Sequence, residues 1–228
     1  METETEFDWH VCTDCQQSIL RDDLPRTCRG CAARLKGPRE QVDSCFFCRD
    51  HSMPFATVTS ITNYEGIIRD LVVRMKSNNG QVTAIQMGRW LAACLTDNFF
   101  ESNVKQCDYI TPIPSHWLRR LRRGFNVANL LVESICEFPQ WNGKSCELLI
   151  ANRKTRKQGT LTMPQRFENV KDCFRFSGKP DIQGKSILLV DDVMTSGATA
   201  IQAGKVLLDA GASKVHLGIV ARGIGRQP

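Results

Sequence analysis

The sequence predicts an α/β protein in which helices cover a mostly parallel β-sheet, with a small cysteine-rich module at the amino terminus. From about residue 53 onward, apolar β-branched runs alternate with segments of helical periodicity, which is the pattern of βαβ units. Three C-x2-C pairs fall in the first part of the chain, where long apolar periodicity is missing. We therefore predict a metal-organised module over residues 1–52 and an α/β domain over residues 53–228.

The α/β domain contains a strand or hairpin in MPFATVTSITNYEG and a helix in IIRDLVVRMK that the run NNG ends. A second helix is expected from Val82 to Phe100, then a short strand in CDYITPIPS and a helix in FNVANLLVESICEF. The strands ELLIAN and KDCFRF flank a polar, basic stretch from Arg153 to Arg166. The order ends with the strand KSILLVDDV, the helix ATAIQAGKVLLDAG closed by Gly211, and the strand KVHLGIVAR.

Length and composition are those of an ordinary globular protein, with 228 residues, 42% hydrophobic and 24% charged. No apolar run approaches the roughly 18 residues that a transmembrane helix needs. The first ten residues, METETEFDWH, carry four acidic residues and no base, which is the reverse of a signal peptide. The expected location is therefore the cytoplasm, without a transmembrane segment.

Positive charge is concentrated in the middle of the chain. Residues 111–176 hold twelve Lys or Arg and five Asp or Glu, so this span carries an excess of +7 against +6 for the whole protein. Two clusters stand out, WLRRLRR at 117–123 and NRKTRK at 152–157. Such clusters favour phosphate-rich partners, either nucleic acid or small phosphorylated ligands, and a solvated basic face is the alternative.

The stretch ILLVDDVMTSGAT, Ile187 to Thr199, has the composition of a ligand site. A buried strand ends at Asp191 and Asp192, and ligands of open α/β sheets bind at the carboxyl ends of strands. The loop that follows leads into a helix, whose first N–H groups and dipole favour a phosphate. Gly197 would let the backbone approach the anion closely. The loop residues are Thr195, Ser196, Gly197, Ala198 and Thr199.

Two carboxylates would repel a phosphate, so Asp191 and Asp192 are expected to face another group. They could accept hydrogen bonds from the neighbouring hydroxyls of a ribose whose 5′-phosphate occupies the loop. Mg²⁺, which prefers oxygen ligands, could bind nearby together with a pyrophosphate. The alternatives are a simple helix cap and turn, or an acidic metal pocket of another α/β fold. The full order of strand, Asp-Asp and TSGAT resembles the phosphoribosyl-pyrophosphate (PRPP) motif of type I phosphoribosyltransferases.

Further segments resemble the ComF competence-protein family, in which an amino-terminal zinc ribbon precedes a phosphoribosyltransferase-like domain. These segments are the paired cysteines, NYEGIIRDLVVRMK, TPIPSHWLRRLRRGFN and NRKTRKQGTLTMPQRFENVKDCF. The resemblance covers nearly the whole chain in the same order. It implies a cytoplasmic role in natural transformation or DNA utilisation, in handling incoming single-stranded DNA beside the uptake machinery at the inner membrane.

The resemblance also implies roles for individual residues. It makes Asp191 and Asp192 the ribose carboxylates, with a catalytic role if the site is active, and Thr195–Thr199 the 5′-phosphate loop. It makes Pro112–Ser115, including Pro114 and Ser115, the pyrophosphate loop, and Arg153–Arg166 a mobile lid, for which an ordinary surface loop is the alternative. Expected contacts to pyrophosphate or nucleic-acid phosphates are Arg122, Arg123, Arg153 and Arg166.

The cysteine pairs predict a structural zinc site. Cys12, Cys15, Cys28 and Cys31 have the spacing of a four-thiolate centre. The third pair, Cys45 and Cys48, could form a second site with histidine substitutes, or could replace one of the first two pairs around a single ion. The five scattered cysteines are expected to be small apolar core residues. They are Cys94, Cys107, Cys136, Cys146 and Cys173.

Two functions remain open at this point. One is a ComF-type DNA-handling protein whose PRPP-like site is regulatory or catalytic. The other is a phosphoribosyltransferase of nucleotide salvage or synthesis, which would transfer ribose 5-phosphate from PRPP to a nitrogen acceptor. A protein-interaction adaptor built on the zinc module has no support beyond the module itself.

Overall fold

A parallel five-stranded sheet forms the centre of the molecule. The structure is a computed structural model, and it describes residues 26–35, 41–50, 52–96, 107–114, 124–153, 155–156 and 161–224. The strands of the sheet lie in the order β4–β10–β9–β5–β6, and all of their pairings are parallel. They are β4 (Thr57–Asn63), β5 (Tyr109–Pro112), β6 (Lys144–Ser145), β9 (Ser186–Met194) and β10 (Lys214–Arg222).

The two longest strands, β9 and β10, lie next to each other in the middle of the sheet. Ile187 to Val190 are fully buried, as are most residues of β10, because helices or other elements cover both faces. A strand buried on both faces has a continuous apolar sequence rather than an alternating one. This explains why ILLV and HLGIVA were the clearest strand signals.

Three helices cover one face of the sheet. They are α1 (Gly66–Met75), α2 (Gln81–Thr96) and α3 (Val127–Cys136), and their apolar side chains join Leu188 and Val190 of β9 in one core. The crossing of α2 and α3 is close, since a Cβ added to Gly88 would lie 2.6 Å from the Cβ of Ser134. A glycine inside α2 therefore sets the distance between these helices.

The opposite face packs against α5 (Ala198–Asp209), a two-stranded antiparallel sheet and the cysteine module. The small sheet pairs β7 (Leu149–Ala151) with β8 (Phe174–Phe176), and α4 (Met163–Val170) lies between these strands in sequence. Ile187 and Leu189 of β9 contribute to the core on this side.

The cysteine module contains a three-stranded sheet of order β2–β1–β3, formed by β1 (Arg26–Cys28), β2 (Arg34–Leu35) and β3 (Gln41–Val42). It docks on the edge strand β4. The Asn63 amide accepts from the Arg34 N–H at 3.0 Å and donates to the Arg34 carbonyl at 2.8 Å. Ser60 Oγ donates to the Ala32 carbonyl at 3.1 Å. Arg34 Nη2 also donates to the Ile61 carbonyl, a backbone acceptor on this edge strand.

The predicted fold class, a mostly parallel sheet with flanking helices and a small cysteine module, is confirmed. Three details differ. The segments ELLIAN and KDCFRF form strands that pair with each other rather than with the main sheet. No helix was predicted within the polar stretch Arg153–Arg166, but α4 begins there at Met163. The second helix ends at Thr96 within the described residues, and residues 97–106 lie outside them.

The helix α4 begins with a recognisable capping pattern. The Thr162 N–H donates to Gln165 Oε1 at 3.0 Å, and Pro164 stands in the first turn, where its missing N–H costs nothing. The boundary at residue 52 remains a prediction. Within the described part of the chain, no helix has both the length and the apolar character needed to cross a membrane.

Candidate functional site

The aspartate pair lies where the central strand β9 leaves the core. After four fully buried residues, Asp191 and Asp192 are partly exposed. The Asp192 N–H donates to Asp191 Oδ1 at 2.8 Å, which orients the first carboxylate. Both acidic side chains are thus held at the strand end that was expected to bind the sugar.

A lysine that sequence reasoning missed contacts this pair. Lys76 caps the carboxyl end of α1, and its Nζ lies 2.8 Å from Asp192 Oδ1. The two side chains are 31% and 21% exposed, so the ion pair is partly shielded from water. Lys76 precedes Asp192 by 116 positions, and no local pattern in the sequence joins them.

The predicted phosphate loop has the geometry of an anion site. Gly197 precedes α5 with a φ of +79°, and as the N-cap residue it offers no side chain to the helix. Thr195 is exposed whereas Ser196 and Ala198 are buried, and the Ala198 N–H donates to Ser196 Oγ at 3.4 Å. The amino terminus of a 12-residue helix, with its positive dipole end, therefore follows directly on the loop.

The predicted pyrophosphate loop begins beside the aspartates. Strand β5 pairs with β9 so that Pro112 lies opposite Val190, and the Ile113 N–H donates to the Val190 carbonyl at 2.8 Å. Pro114 therefore follows β5 at the edge of the sheet where Asp191 follows Val190. Ser115 lies outside the described residues.

Of the four arginines predicted to contact phosphates, the structure describes two, Arg153 and Arg166. Arg122 and Arg123 lie outside the described residues. Arg153 Nη2 donates to the Lys171 carbonyl at 2.6 Å, and Arg166 Nε donates to the Leu161 carbonyl at 3.1 Å. The first contact ties the start of the predicted lid to the residue that follows α4, and the second stays within the lid. The role of both arginines toward phosphate remains a prediction.

Four cysteines converge in the amino-terminal module. The Sγ atoms of Cys28, Cys31, Cys45 and Cys48 all lie within 4.8 Å of one another, and all four residues are buried. The individual distances are 3.5 Å from Cys28 to Cys48, 3.6 Å from Cys31 to Cys45 and 3.9 Å from Cys45 to Cys48. The third pair, Cys45 and Cys48, thus forms one cluster with the second pair, Cys28 and Cys31. This is one of the arrangements that the spacing left open. Cys12 and Cys15 lie outside the described residues.

This donor set suits zinc. Four sulfurs held at about 2.3 Å from one zinc ion at tetrahedral corners lie about 3.8 Å apart, close to the distances found here. A turn and a longer-range bond shape the cluster. The Cys48 N–H donates to the Cys45 carbonyl at 3.0 Å within the turn, and the Gly30 N–H donates to the Asp43 carbonyl at 3.1 Å between the two parts of the module. Thiolates are soft ligands that select zinc over magnesium or calcium.

Of the scattered cysteines, Cys107 and Cys173 are buried in the core, whereas Cys94, Cys136 and Cys146 are partly buried and pack against it. Burial raises the pKa of both the Cys107 thiol and the Cys173 thiol to about 11. Burial also raises the pKa of the Cys136 and Cys146 thiols. Thiols that stay protonated at neutral pH are poor nucleophiles and poor metal ligands.

Comparison with known proteins finds a domain match within the α/β region and relatives that are similar over nearly the whole chain. Residues 121–227 match the phosphoribosyl transferase domain. The chain is 25% identical over 216 residues to DNA utilization protein YhgH of Escherichia coli K12, covering 94% of this chain and 91% of that protein. It is 26% identical over 217 residues to the protein of the same name from Salmonella typhimurium, with the same coverage.

A second name occurs among the relatives. Competence protein F of Haemophilus influenzae is 25% identical over 216 residues, covering 93% of this chain and 90% of that protein. These similarities extend through the cysteine module as well as the α/β domain.

Proposed function

We propose that this chain is a DNA-handling protein with a PRPP-type ligand site. The proposal is supported by its similarity to DNA utilization protein YhgH and Competence protein F over nearly its whole length, and by the match of residues 121–227 to the phosphoribosyl transferase domain. The ribose of the ligand would contact Asp191 and Asp192, and its 5′-phosphate would occupy Thr195–Thr199. Mg²⁺ would accompany a pyrophosphate near Pro114.

One observation carries the ligand proposal. The aspartates, the amino terminus of α5 and the end of β5 all lie at the carboxyl edge of neighbouring parallel strands. This is where an open α/β sheet binds its ligands. The segment that joins β9 to α5 thus offers carboxylates that can bind the ribose hydroxyls and, a few residues later, N–H groups that can bind the phosphate. A sugar phosphate needs both.

Thermal unfolding tests this site. PRPP with Mg²⁺ at a hundred times its dissociation constant should add about 2.7 kcal/mol to the free energy of unfolding. The shift should occur in the wild type and be lost in Asp191→Asn/Asp192→Asn. Asp70→Asn/Asp209→Asn is the matched control, because it removes the same charge from two exposed positions on helices. An equal shift in the wild type and the site variant would contradict the proposal.

Transferase activity is the alternative form of this function. A nitrogen nucleophile would bond to C1 of the ribose while the C1–O bond breaks and pyrophosphate leaves, and Mg²⁺ with positive side chains would stabilise the leaving group. Lys76, beside Asp192, is a described cation at the site. Release of pyrophosphate from PRPP with one particular base would establish the activity, and a base screen without turnover would leave ligand binding alone.

Single-stranded DNA is the proposed macromolecular partner, in keeping with the names of the relatives. The positive span 111–176 supports this proposal, since phosphates attract Lys and Arg clusters. Binding of a labelled oligonucleotide should weaken steeply with salt, with a slope of about −0.7 per neutralised phosphate. Arg122→Gln/Arg123→Gln should reduce that slope, whereas Arg69→Gln/Arg74→Gln, at two exposed positions of α1 outside the span, should not. Salt-independent binding, or none at low salt, would exclude this role.

A further inference from the structure

Arg222, the last residue of β10, is a buried arginine that binds the backbone at the start of the phosphate loop. It pairs with Met194 across β10 and β9, and the residue is 1% exposed. Nη1 donates to the Met194 carbonyl at 3.0 Å, and it also contacts the carbonyls of Thr195 and Gly223. The Gly223 N–H donates to the Met194 carbonyl at 2.8 Å. The segment that leaves β9 is therefore fastened to the end of β10.

The loop is also packed closely on its neighbours. A Cβ added to Gly223 would lie 2.9 Å from Thr195 Cγ2, which is closer than side chains normally approach. A Cβ added to Gly197 would lie 3.4 Å from both Met53 Cε and Ile201 Cδ1, which is ordinary contact. The loop thus contacts the end of β10 where it begins and apolar side chains where it joins α5.

The contacts of Arg222 decide which way the N–H groups of the loop point. A trans peptide is planar, so its C=O and its N–H point in opposite directions. All peptides of the loop are trans, and the carbonyls of Met194 and Thr195 are turned toward Arg222. The N–H groups that follow these carbonyls belong to Thr195 and Ser196. They therefore point away from the buried arginine.

This orientation suits an anion. Successive backbone N–H groups in a turn attract an anion, whereas carbonyl oxygens carry the opposite partial charge and repel it. Thr195 is exposed, so the side of the loop away from Arg222 is open to a ligand. Neither the Thr195 N–H nor the Ser196 N–H donates to a backbone carbonyl among the described residues. The arginine thus removes two carbonyls from the face that would receive a phosphate and leaves N–H groups there.

We propose that Arg222 is a positioning residue for the 5′-phosphate of the ligand. By binding the carbonyls at the start of the loop, it holds the N–H groups of Thr195 and Ser196 in the direction from which they bind the phosphate. Arg222 acts through the loop and does not touch the ligand. A planar guanidinium suits this role because its donors are held in a fixed geometry, whereas a lysine ammonium is a point charge on a flexible stem. The role rests on the proposed ligand site.

Isothermal titration calorimetry of the full-length protein tests this role with two probes. Ribose 5-phosphate reports on the phosphate loop, and pyrophosphate with Mg²⁺ reports on the site proposed near Pro114. The variants are Arg222→Met, which removes the charge and the donors, and Arg222→Lys, which keeps the charge without the planar set of donors. Val132→Ala is the control for general destabilisation, because it shortens a buried side chain of α3 on the face of the sheet opposite α5. Thermal unfolding is measured for each protein.

Arg222→Met should bind ribose 5-phosphate about tenfold or more weakly than the wild type, because the loop carbonyls lose a charged donor. Its affinity for pyrophosphate should be unchanged, since that probe does not use the loop. Arg222→Lys should lose less affinity for ribose 5-phosphate than Arg222→Met. Val132→Ala should lose stability and bind both probes like the wild type.

Two results would overturn the role of Arg222. One is equal affinity of the wild type and Arg222→Met for ribose 5-phosphate. The other is an equal loss of affinity for both probes in Arg222→Met, which would indicate general damage to the fold. If Arg222→Met does not fold, Arg222→Lys decides, and wild-type affinity in that variant would show that charge alone is enough and that positioning by the guanidinium is wrong.

The wild type separates this role from the proposed function. If ribose 5-phosphate binds the wild type and the Arg222 variants alike, the positioning role is wrong and the ligand site stands. If ribose 5-phosphate and PRPP both fail to bind the wild type, the proposed ligand site is wrong, and the positioning role is wrong with it.

Discussion

At the scale of single residues, the ligand site has a problem of charge that Lys76 answers. Two adjacent carboxylates lie near a loop that is proposed to bind a dianionic phosphate, and like charges at short range repel. Lys76 Nζ at 2.8 Å from Asp192 Oδ1 compensates one of these charges without entering the loop. The two carboxylates therefore have different environments. Asp192 forms an ion pair with Lys76, whereas Asp191 Oδ1 accepts a hydrogen bond from the Asp192 N–H.

Replacing this lysine should weaken binding of anionic ligands. We expect Lys76→Met to reduce the affinity for PRPP by about tenfold, equivalent to about 1.4 kcal/mol, because the ligand then meets an uncompensated aspartate. Ribose 5-phosphate, which carries fewer negative charges, should lose less. Isothermal titration calorimetry measures both affinities. Lys205→Met changes net charge equally at an exposed position of α5 and should bind like the wild type, so an equal loss in both variants would refute a local role.

Gly197 has a backbone conformation that favours glycine at the start of the proposed phosphate-binding helix. Its φ of +79° is costly for any residue with a Cβ, although a Cβ there would meet only ordinary contacts, the nearest at 3.4 Å. Gly197→Ala should lower the free energy of unfolding by about 1 to 2 kcal/mol, measured by urea denaturation. Gly178, with a φ of +87° and open space around it, is the matched control. Gly178→Ala should lose similar stability while only Gly197→Ala loses ligand affinity; equal ligand binding by both would show that the loop tolerates the change.

At the scale of elements, the sequence determined strands and helices better than their pairing. The run KSILLVDDV predicted β9 because a strand buried on both faces needs continuous apolar residues. ELLIAN and KDCFRF were correct as strands, but pairing is set by tertiary contacts, and nothing in either segment shows that they pair with each other. The two-residue strand β6 has no periodicity to detect.

The residues of the candidate site also differ in how well the sequence predicted them. Asp191, Asp192 and the TSGAT loop were found because they are contiguous, and a strand followed by a helix fixes their relation. Lys76 was missed because the residue that it contacts, Asp192, is distant in sequence. The cysteine spacing predicted a four-thiolate centre, but equal C-x2-C pairs could not show which pairs share an ion.

The pairing of β4 with β10 should make stability depend on pH through His216. Its Nδ1 lies 2.8 Å from Thr57 Oγ1, and burial, followed by the charge of Lys214, lowers the pKa of His216. The unfolded chain, with a histidine pKa of about 6.5, then binds more protons than the folded chain between the two pKa values. The contribution of His216 is therefore complete above about pH 6.5 and declines as the pH falls toward the folded pKa.

His216→Gln should flatten this dependence. Urea unfolding at pH 7.5 and pH 5.5 should show a smaller loss of stability on acidification in the variant than in the wild type. Thr57→Val removes the hydroxyl but keeps the buried imidazole, so it should retain the pH dependence. An identical pH dependence in wild type and His216→Gln would place the titrating group elsewhere.

At the scale of the whole molecule, the cysteine module and the α/β domain share one core. Cys28, Cys31, Cys45 and Cys48 belong to the same apolar cluster as Ile187, Leu189 and the residues of α5. The module also covers the edge strand β4 through Ser60 and Asn63. Loss of the metal should therefore destabilise the sheet as well as the module, because the contacts between them depend on the folded shape of the module.

Zinc content identifies the ligands. Cys45→Ser/Cys48→Ser should lose the zinc of the described cluster and unfold at a lower temperature, because two thiolates cannot complete a structural site. Cys12→Ser/Cys15→Ser is the matched variant, with the same chemical change in a pair that the cluster does not include. It should retain one zinc per chain, measured by elemental analysis, and any second zinc would be the one it loses. If instead the Cys12/Cys15 variant loses all zinc and the Cys45/Cys48 variant keeps it, the metal is held by the first two pairs, and the close approach of the third pair is packing alone.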